Sequence, residues 1–214
     1  MAKIYVIRHA ESIANREGIY QGQSYDTDLS SLGEDQAFAL AERFSGLDIS
    51  EVIASPLGRT MQTAEAIAME TGSDVIPDDR IIETNHGEWE GKNKKWIEEN
   101  YPDVYKTWQT LPSKAVFPGG EVFDETVARV KQFMDEYMWS GNSVVVTHDN
   151  IIRIMVSLAK GSPVDDMWKV TIEPAAINTF EVKEGFYGVF YRVVKLNDTT
   201  HLKELKADLA LHAL

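Results

Sequence analysis

The sequence predicts an α/β chain: a three-layer α/β/α sandwich on a mostly parallel sheet, with a small helical insertion. Two observations carry this expectation. Short apolar runs alternate with amphipathic stretches of helical period through most of the chain, the pattern of a parallel sheet covered by helices. Two of those runs, Ile4-Tyr5-Val6-Ile7 and Val144-Val145-Val146-Thr147, stop abruptly at polar residues that include a histidine. Buried strands of open α/β sheets end in this way where their carboxyl edge opens into a ligand crevice.

The elements follow in order. Residues 3–7 form the first strand. Residues 10–28 are polar, carry Gly18 and Gly22, and read as a loop with a helical turn near Ile13. Ser31 and Glu34 have the spacing of a capping box, in which each side chain caps the other's backbone amide, so a helix starts there. Ala37, Leu40, Ala41 and Phe44 continue it at helical spacing and Gly46 ends it. Glu51–Ala54 is a short strand closed by Ser55-Pro56. A second amphipathic helix covers about residues 57–70, with Met61, Ala64, Ile67 and Ala68 on one face and Gly72 as its stop. Residues 74–76 and 80–82 read as short extended pieces, and residues 87–91 as a loop. Trp96, Ile97, Tyr101, Tyr105 and Trp108 mark a helical subregion, so residues 88–120 are expected to form a small cap whose aromatics are its core. A third helix spans about residues 123–138. Ser143–Thr147 is a strand, with a nearly all-apolar helix at 150–159 behind it. Residues 178–182 and 188–194 alternate as strands do, in a hairpin around Gly185. The tail, 201–214, is polar, helical by composition and expected to be loosely attached. Without repeats or a linker, residues 1–214 read as a single domain.

Composition narrows the function. A chain of 214 residues can bury a proper core unaided. It has no cysteine, which excludes disulfides, thiolate metal sites and a cysteine nucleophile. The first residues enter a strand without a signal-peptide pattern, and no apolar run approaches the length of a membrane-spanning helix. The expectation is a cytoplasmic protein without a membrane partner. The net charge of −13 argues against nucleic acid, which rewards clustered Lys and Arg. It also makes any local convergence of basic side chains more informative. Whether the last strands support a homodimer is left open.

If the sheet is parallel, Arg8 and His9 after the first strand, Arg59 after the second, Glu83 after Ile81-Ile82, and His148 after Val144–Thr147 share one edge. Each alone has an ordinary reading: a hydrogen-bonded histidine, a salt-bridged arginine, a loop carboxylate. Together, planar arginine forks suit phosphate oxygens, and a helix start after each strand would add backbone amides.

The local contexts of these residues decide between the two readings. Arg8-His9-Ala10-Glu11-Ser12 with Asn15 resembles the Arg-His-Gly-Glu-Ser/Thr signature of the histidine phosphatase superfamily, the group that includes cofactor-dependent phosphoglycerate mutases. Gln21-Gly22 through Asp26, Leu29-Ser30, Gly33 and Gln36-Ala37 match its next block. Ser55-Pro56-Leu57-Gly58-Arg59 with Gln62-Thr63-Ala64 is similar to Ser-x-Leu-x-Arg-x-x-Gln-Thr-Ala. Glu83 with Gly87-Glu88-Trp89-Glu90-Gly91, then Pro118-Gly119-Gly120-Glu121, Arg129-Val130 and Thr147-His148, complete the series in order.

The resemblance implies a phosphoglycerate mutase-like fold and a division of labour. His9 would be the nucleophile that forms a phosphohistidine. Arg8, Arg59 and His148 would hold the phosphoryl oxygens, with Asn15, Gln21 and Gly22 in the same phosphate-binding set. Glu83 would protonate the leaving alkoxide and then activate water. No metal and no cofactor are called for, because arginines supply the positive charge. Two departures stand out: Ala10 and Asp149 each occupy a position where glycine is common in the family. Asp149 reads as a cap of the following helix, as a carboxylate that orients an imidazole, or as one that repels anionic substrates. His86, His201 and His212 lack such contexts and read as structural or solvated. Lys92, Lys94 and Lys95 read as a solvated helix start.

Three functions fit: a phosphomonoesterase acting on small phosphate esters, a mutase that returns the phosphoryl group to substrate, and a non-catalytic phosphate-ligand or protein-binding relative. The complete set of site positions disfavours the last. The mutases carry longer insertions around the site, and residues 87–120 look closer to bacterial phosphatases of the α-ribazole phosphatase type. The phosphatase is therefore the expectation.

Overall fold

Residues of Ser143–Thr147 are buried on both faces, so this strand must lie at the centre of the sheet. The computed structural model, which describes residues 2–185 and 188–212, places it there. The strands are β1 (Ala2–Arg8), β2 (Glu51–Ala54), β3 (Val75–Pro77), β4 (Ser143–Thr147), β5 (Ile177–Gly185) and β6 (Gly188–Asp198). The helices are α1 (Ile13–Glu17), α2 (Ser31–Phe44), α3 (Gly58–Thr71), α4 (Lys94–Asn100), α5 (Pro102–Thr110), α6 (Phe123–Glu136) and α7 (Asp149–Lys160). One six-stranded sheet has the order β3-β2-β4-β1-β5-β6. The pairs β3·β2, β2·β4 and β4·β1 are parallel, whereas β5 and β6 add antiparallel to the β1 side.

Strand alternation assigns the layers. Val144 and Val146, with Ile7, Val52 and Ala54, face one side and pack on Leu40 and Phe44 of α2 and Ile67 of α3. Val145, with Ile4, Val6 and Ile53, faces the other and packs on Val130 and Phe133 of α6 and Ile151 and Met155 of α7. Each such aliphatic or aromatic side chain contributes about 1.5–3 kcal/mol when fully buried.

Several boundaries differ from the sequence reading. The cap of α2 is Ser30, not Ser31: its side chain accepts from Gly33 N at 3.0 Å, and Glu34 falls one residue too late for a box. Gly33 is required in that first turn because a Cβ would lie 2.0 Å from the Glu11 carbonyl oxygen. The reciprocal capping box forms at α1 instead, between Ser12 and Asn15. Of residues 80–82 only Ile82 is extended. The Asp78 carboxylate accepts from the Arg80 amide and guanidinium, which winds Asp79–Ile81 into a 3₁₀ turn. Beyond Thr199 the tail forms turns and a short 3₁₀ piece, Leu209–Leu211, rather than a helix. Nor is it loose: Leu202 is buried in the core and Gln36 Nε2 donates to the Leu205 carbonyl at 2.8 Å. The tip of the β5–β6 hairpin, 186–187, and residues 213–214 lie outside the described residues.

Candidate active site

Because β1, β2, β3 and β4 run in one direction, their carboxyl ends meet at one edge of the sheet. A cleft there is lined by Arg8, His9, Asn15, Gln21, Arg59 and Glu83. Its cavity volume is about 40 Å³.

His9 follows β1, and its Nδ1 lies 2.7 Å from the Ala10 carbonyl oxygen. A carbonyl only accepts, so Nδ1 carries the proton and Nε2 keeps its lone pair. Burial, then the charges of Arg59 and Arg8, hold the imidazole well below its usual range, so His9 is neutral at pH 7. Ala10 causes no strain there: it is fully buried, is not among the non-glycine residues with positive φ, and donates its N–H to Thr63 Oγ1 at 3.1 Å.

Arg59 sits in the first turn of α3, with 1% of its side chain exposed. Asp26 Oδ1 accepts from its Nη1 at 2.6 Å, and the Gly22 carbonyl accepts from its Nη2 at 3.0 Å. Arg8 Nη1 donates to the Ile172 carbonyl at 2.7 Å. These bonds aim both guanidinium groups while leaving Arg8 Nε and Arg59 Nε buried without a partner. A buried donor left unpaired costs about 1–3 kcal/mol, which an anion in the cleft would recover. Helix α7 also begins at the site with no side-chain cap, so its first amides can donate to an anion.

His148 immediately follows β4 and stacks edge-on to His9, with ring centroids 5.3 Å apart. Its Nδ1 lies 3.2 Å from Arg59 Nη2 and must accept; its Nε2 then donates to Ser55 Oγ at 2.8 Å. Both ring nitrogens are thus engaged by protein. Burial and Arg59 push the ring well below its usual range, so it is also neutral.

Asn15 Oδ1 accepts from Ser12 N at 3.2 Å, so the Asn15 amide presents its NH₂ to the cleft. Gln21 is held from Ser12 Oγ at 2.8 Å. Gly22 lies behind the site: a Cβ there would meet the Glu90 carboxylate at 2.0 Å. That carboxylate gathers the backbone amides of Gln23, Ser24, Tyr25 and His86, which fixes the loop that carries Gln21 and Gly22.

Glu83 is buried, with Thr84 N donating to its Oε1 at 2.8 Å. Burial pushes its carboxyl up to about 7, against the pull of that hydrogen bond and of Arg59. Arg129 of α6 holds the backbone before it, donating to the carbonyls of Arg80, Ile82 and Glu83 while paired to Glu121 at 3.0 Å. The result is a neutral imidazole with a free lone pair, two aimed guanidinium groups and a carboxyl that exchanges its proton near neutral pH.

This arrangement is matched by a known family. The sequence model of the histidine phosphatase superfamily (branch 1) matches residues 4–199. The chain belongs to this superfamily. It is 36% identical over 207 residues to phosphoserine phosphatase 1 of Hydrogenobacter thermophilus, across 95% of this chain and 96% of that one. It is 30% identical over 206 residues to a probable phosphoglycerate mutase GpmB of Escherichia coli, across 94% and 95%. A solved mycobacterial glucosyl-3-phosphoglycerate phosphatase, in complex with VO₃, superposes with a TM-score of 0.81 at 26% identity, covering 93% of this chain and all of that one. These likenesses, the mostly parallel sheet and its flanking helix layers make this histidine phosphatase a phosphomonoesterase-type hydrolase with a phosphoglycerate mutase-like fold.

Sequence reasoning overlooked several residues of the site. His86, read as structural or solvated, is not solvated: it is buried in the cleft wall, where its Nδ1 donates to the Gln21 carbonyl at 2.8 Å. Its position in the block that begins at Glu83 was the available signal. Asp149 does not cap α7. It is the helix's first residue, fully inside, accepting from Arg153 Nε at 2.7 Å and lying 3.7 Å from Arg8 Nη1. Trp108 of α5 belongs to the aromatic core and also lines the cleft. His212, read as structural or solvated, is buried 3.7 Å from Glu11. Among the described residues, no group of three or more His, Asp or Glu side chains could hold a metal ion, and no helix is long and apolar enough to cross a membrane.

Proposed function

We propose that this histidine phosphatase hydrolyses small phosphorylated metabolites through a phosphohistidine on His9. The observation that carries the reading is the pairing of a neutral His9, its Nε2 lone pair free, with two buried guanidinium Nε donors that lack partners. Nε2 attacks phosphorus and the bond to the ester oxygen breaks. Glu83, protonated up to about 7, gives its proton to that oxygen. Water then attacks the phosphohistidine, Glu83 takes the water's proton, and the phosphorus–nitrogen bond breaks to restore His9. Arg8 and Arg59 stabilise the charge on the phosphoryl oxygens in both steps, and Asn15 adds a neutral donor. His148 contributes by holding Arg59 rather than through a free ring N–H. The segment 88–120 acts as the cap and meets the substrate through Trp108.

The phosphoserine phosphatase of Hydrogenobacter thermophilus makes O-phosphoserine the first ester to assay. The mutase alternative rests on the likeness to GpmB. In this reading the enzyme acts in the cytoplasm, and a homodimer would use β6, whose Phe190 and Val194 are exposed. Incubation with a ³²P-labelled ester, followed by a denaturing quench, tests the mechanism. The expected result is an acid-labile phosphoenzyme, absent in His9→Ala, with stoichiometric phosphate release. A labelled His9→Ala protein, or interconversion of phosphoglycerates faster than phosphate release, would overturn it.

A further inference from the structure

The start of α7 carries acceptor oxygens without hydrogen-bond donors. Asp149 and Asn150 open α7, both are 2% exposed, and both line the cleft. Asp149 Oδ2 is taken by Arg153, but Oδ1 has no hydrogen bond; Arg8 Nη1 stands off at 3.7 Å. Asn150 Oδ1 likewise has no partner. The orientation of the Asn150 amide follows from its neighbour. His86 Nδ1 donates to the Gln21 carbonyl, so its Nε2 must accept, and Asn150 Nδ2 is the donor that reaches it at 3.4 Å. That bond directs the amide nitrogen to His86 and leaves Oδ1 unused. A carboxylate oxygen without a hydrogen bond, in an ion pair with Arg8 at 3.7 Å, and an amide oxygen without a partner therefore share the cleft with His9 and Glu83.

We infer that Asp149 and Asn150 form a subsite for a protonated amine, so that the preferred substrates are phosphomonoesters with an ammonium group close to the phosphate. The inference rests on the phosphatase reading and deepens it. A phosphate group satisfies the guanidinium side of the cleft but only adds acceptors to this side. An ammonium supplies donors and the opposite charge. The amino end of α7, Arg8 and Arg153 all work against a cation, so the two acceptor oxygens rather than a net negative charge would hold the ammonium. Arg153 reaches the other oxygen through Nε, and its Nη1 donates to the carbonyls of Met167 and Val170.

The test compares O-phosphoethanolamine with propyl phosphate, esters of similar shape that differ by an ammonium in place of a methyl. For the wild-type enzyme kcat/KM should favour the amine at least about tenfold. This lies well below the ~10⁴-fold of a fully matched donor–acceptor site, since Arg8 and Arg153 already offset part of the Asp149 charge. In Asp149→Asn the ratio between the two esters should fall to near one, whatever the absolute rates. A wild-type ratio near one overturns the amine subsite while leaving the phosphatase intact, and needs no variant to fold. A wild-type preference that survives in Asp149→Asn overturns the assignment to this residue. Failure to hydrolyse either ester or p-nitrophenyl phosphate would instead sink the phosphatase reading beneath it.

Discussion

Replacing Glu83 by Gln should slow the enzyme and stabilise it at once. Gln preserves the shape and still accepts the Thr84 amide, but it has no proton to give. Loss of general acid–base help costs about 10²–10⁴-fold in rate. The loss should be largest for an alkyl ester such as O-phosphoserine, whose leaving oxygen needs a proton. With p-nitrophenyl phosphate the first step survives, and the defect moves to hydrolysis of the phosphohistidine, so the variant should release one equivalent of p-nitrophenol in a burst. For the wild type on the alkyl ester, kcat/KM should fall as pH rises through about 7, where Glu83 loses its proton, and this limb should vanish in the variant.

The stability change has the opposite sign. Folded Glu83 keeps its proton up to about 7, whereas the unfolded chain releases it near its ordinary 4.5. Between these values the folded state binds more protons, so stability falls as pH rises. At 1.36 kcal/mol per pH unit the gap corresponds to about 3 kcal/mol, the cost of keeping a buried carboxylate charged at pH 8. Gln avoids that cost. In a chain of this size, 1 kcal/mol moves Tm by about 2–4 °C. Calorimetry should therefore find Glu83→Gln about 6–12 °C above wild type at pH 8 and close to it at pH 4.5. A variant that keeps its rate on O-phosphoserine, or melts lower than wild type at pH 8, would refute the buried-acid argument.

Two further outcomes follow from the scaffold of that acid. Arg129→Met removes the donors to the Arg80, Ile82 and Glu83 carbonyls, so kcat should drop about 10²-fold with little change in KM, as expected when a reacting group is misplaced by an ångström; an unchanged kcat in steady-state assays would count against it. Gly87→Ala places a Cβ 2.1 Å from the Pro118 carbonyl oxygen at a φ of +55°, and should cost at least about 2 kcal/mol, read as a Tm loss of at least about 4 °C; a Tm equal to wild type would show that the two loops can separate freely.

The parts of the fold that could be read from sequence are those where one physical term dominates. Val144, Val145 and Val146 are buried on both faces, and no other placement of β4 would satisfy them. The misread parts depend on contacts between residues far apart in the chain or on local competition for the backbone. Ser31 looked like the cap because the contact that forces Gly33 comes from Glu11, some twenty positions earlier. Residues 80–82 looked extended because the Asp78 grip on Arg80 is a side-chain effect that apolar periodicity does not register. Asp149 looked like a cap because its partners, Arg8 and Arg153, meet only after the sheet and α7 have assembled.

The site also shows why the reactive states of its two central groups could not be read residue by residue. Desolvation disfavours whichever form of a group is charged. In the same dry cleft it therefore lowers the imidazole of His9 and raises the carboxyl of Glu83, and in each case burial is the largest influence. One environment thus sets a free base and a protonated acid on either side of the place where a phosphate ester would sit. Opening the cleft to water should undo both together: His9 would gain protons and Glu83 would lose its own over the same pH range. If the enclosure of the cleft is part of the chemistry, Trp108, which lines it, should act on the reaction by keeping water out, and Trp108→Ala should shift the pH profile of kcat/KM.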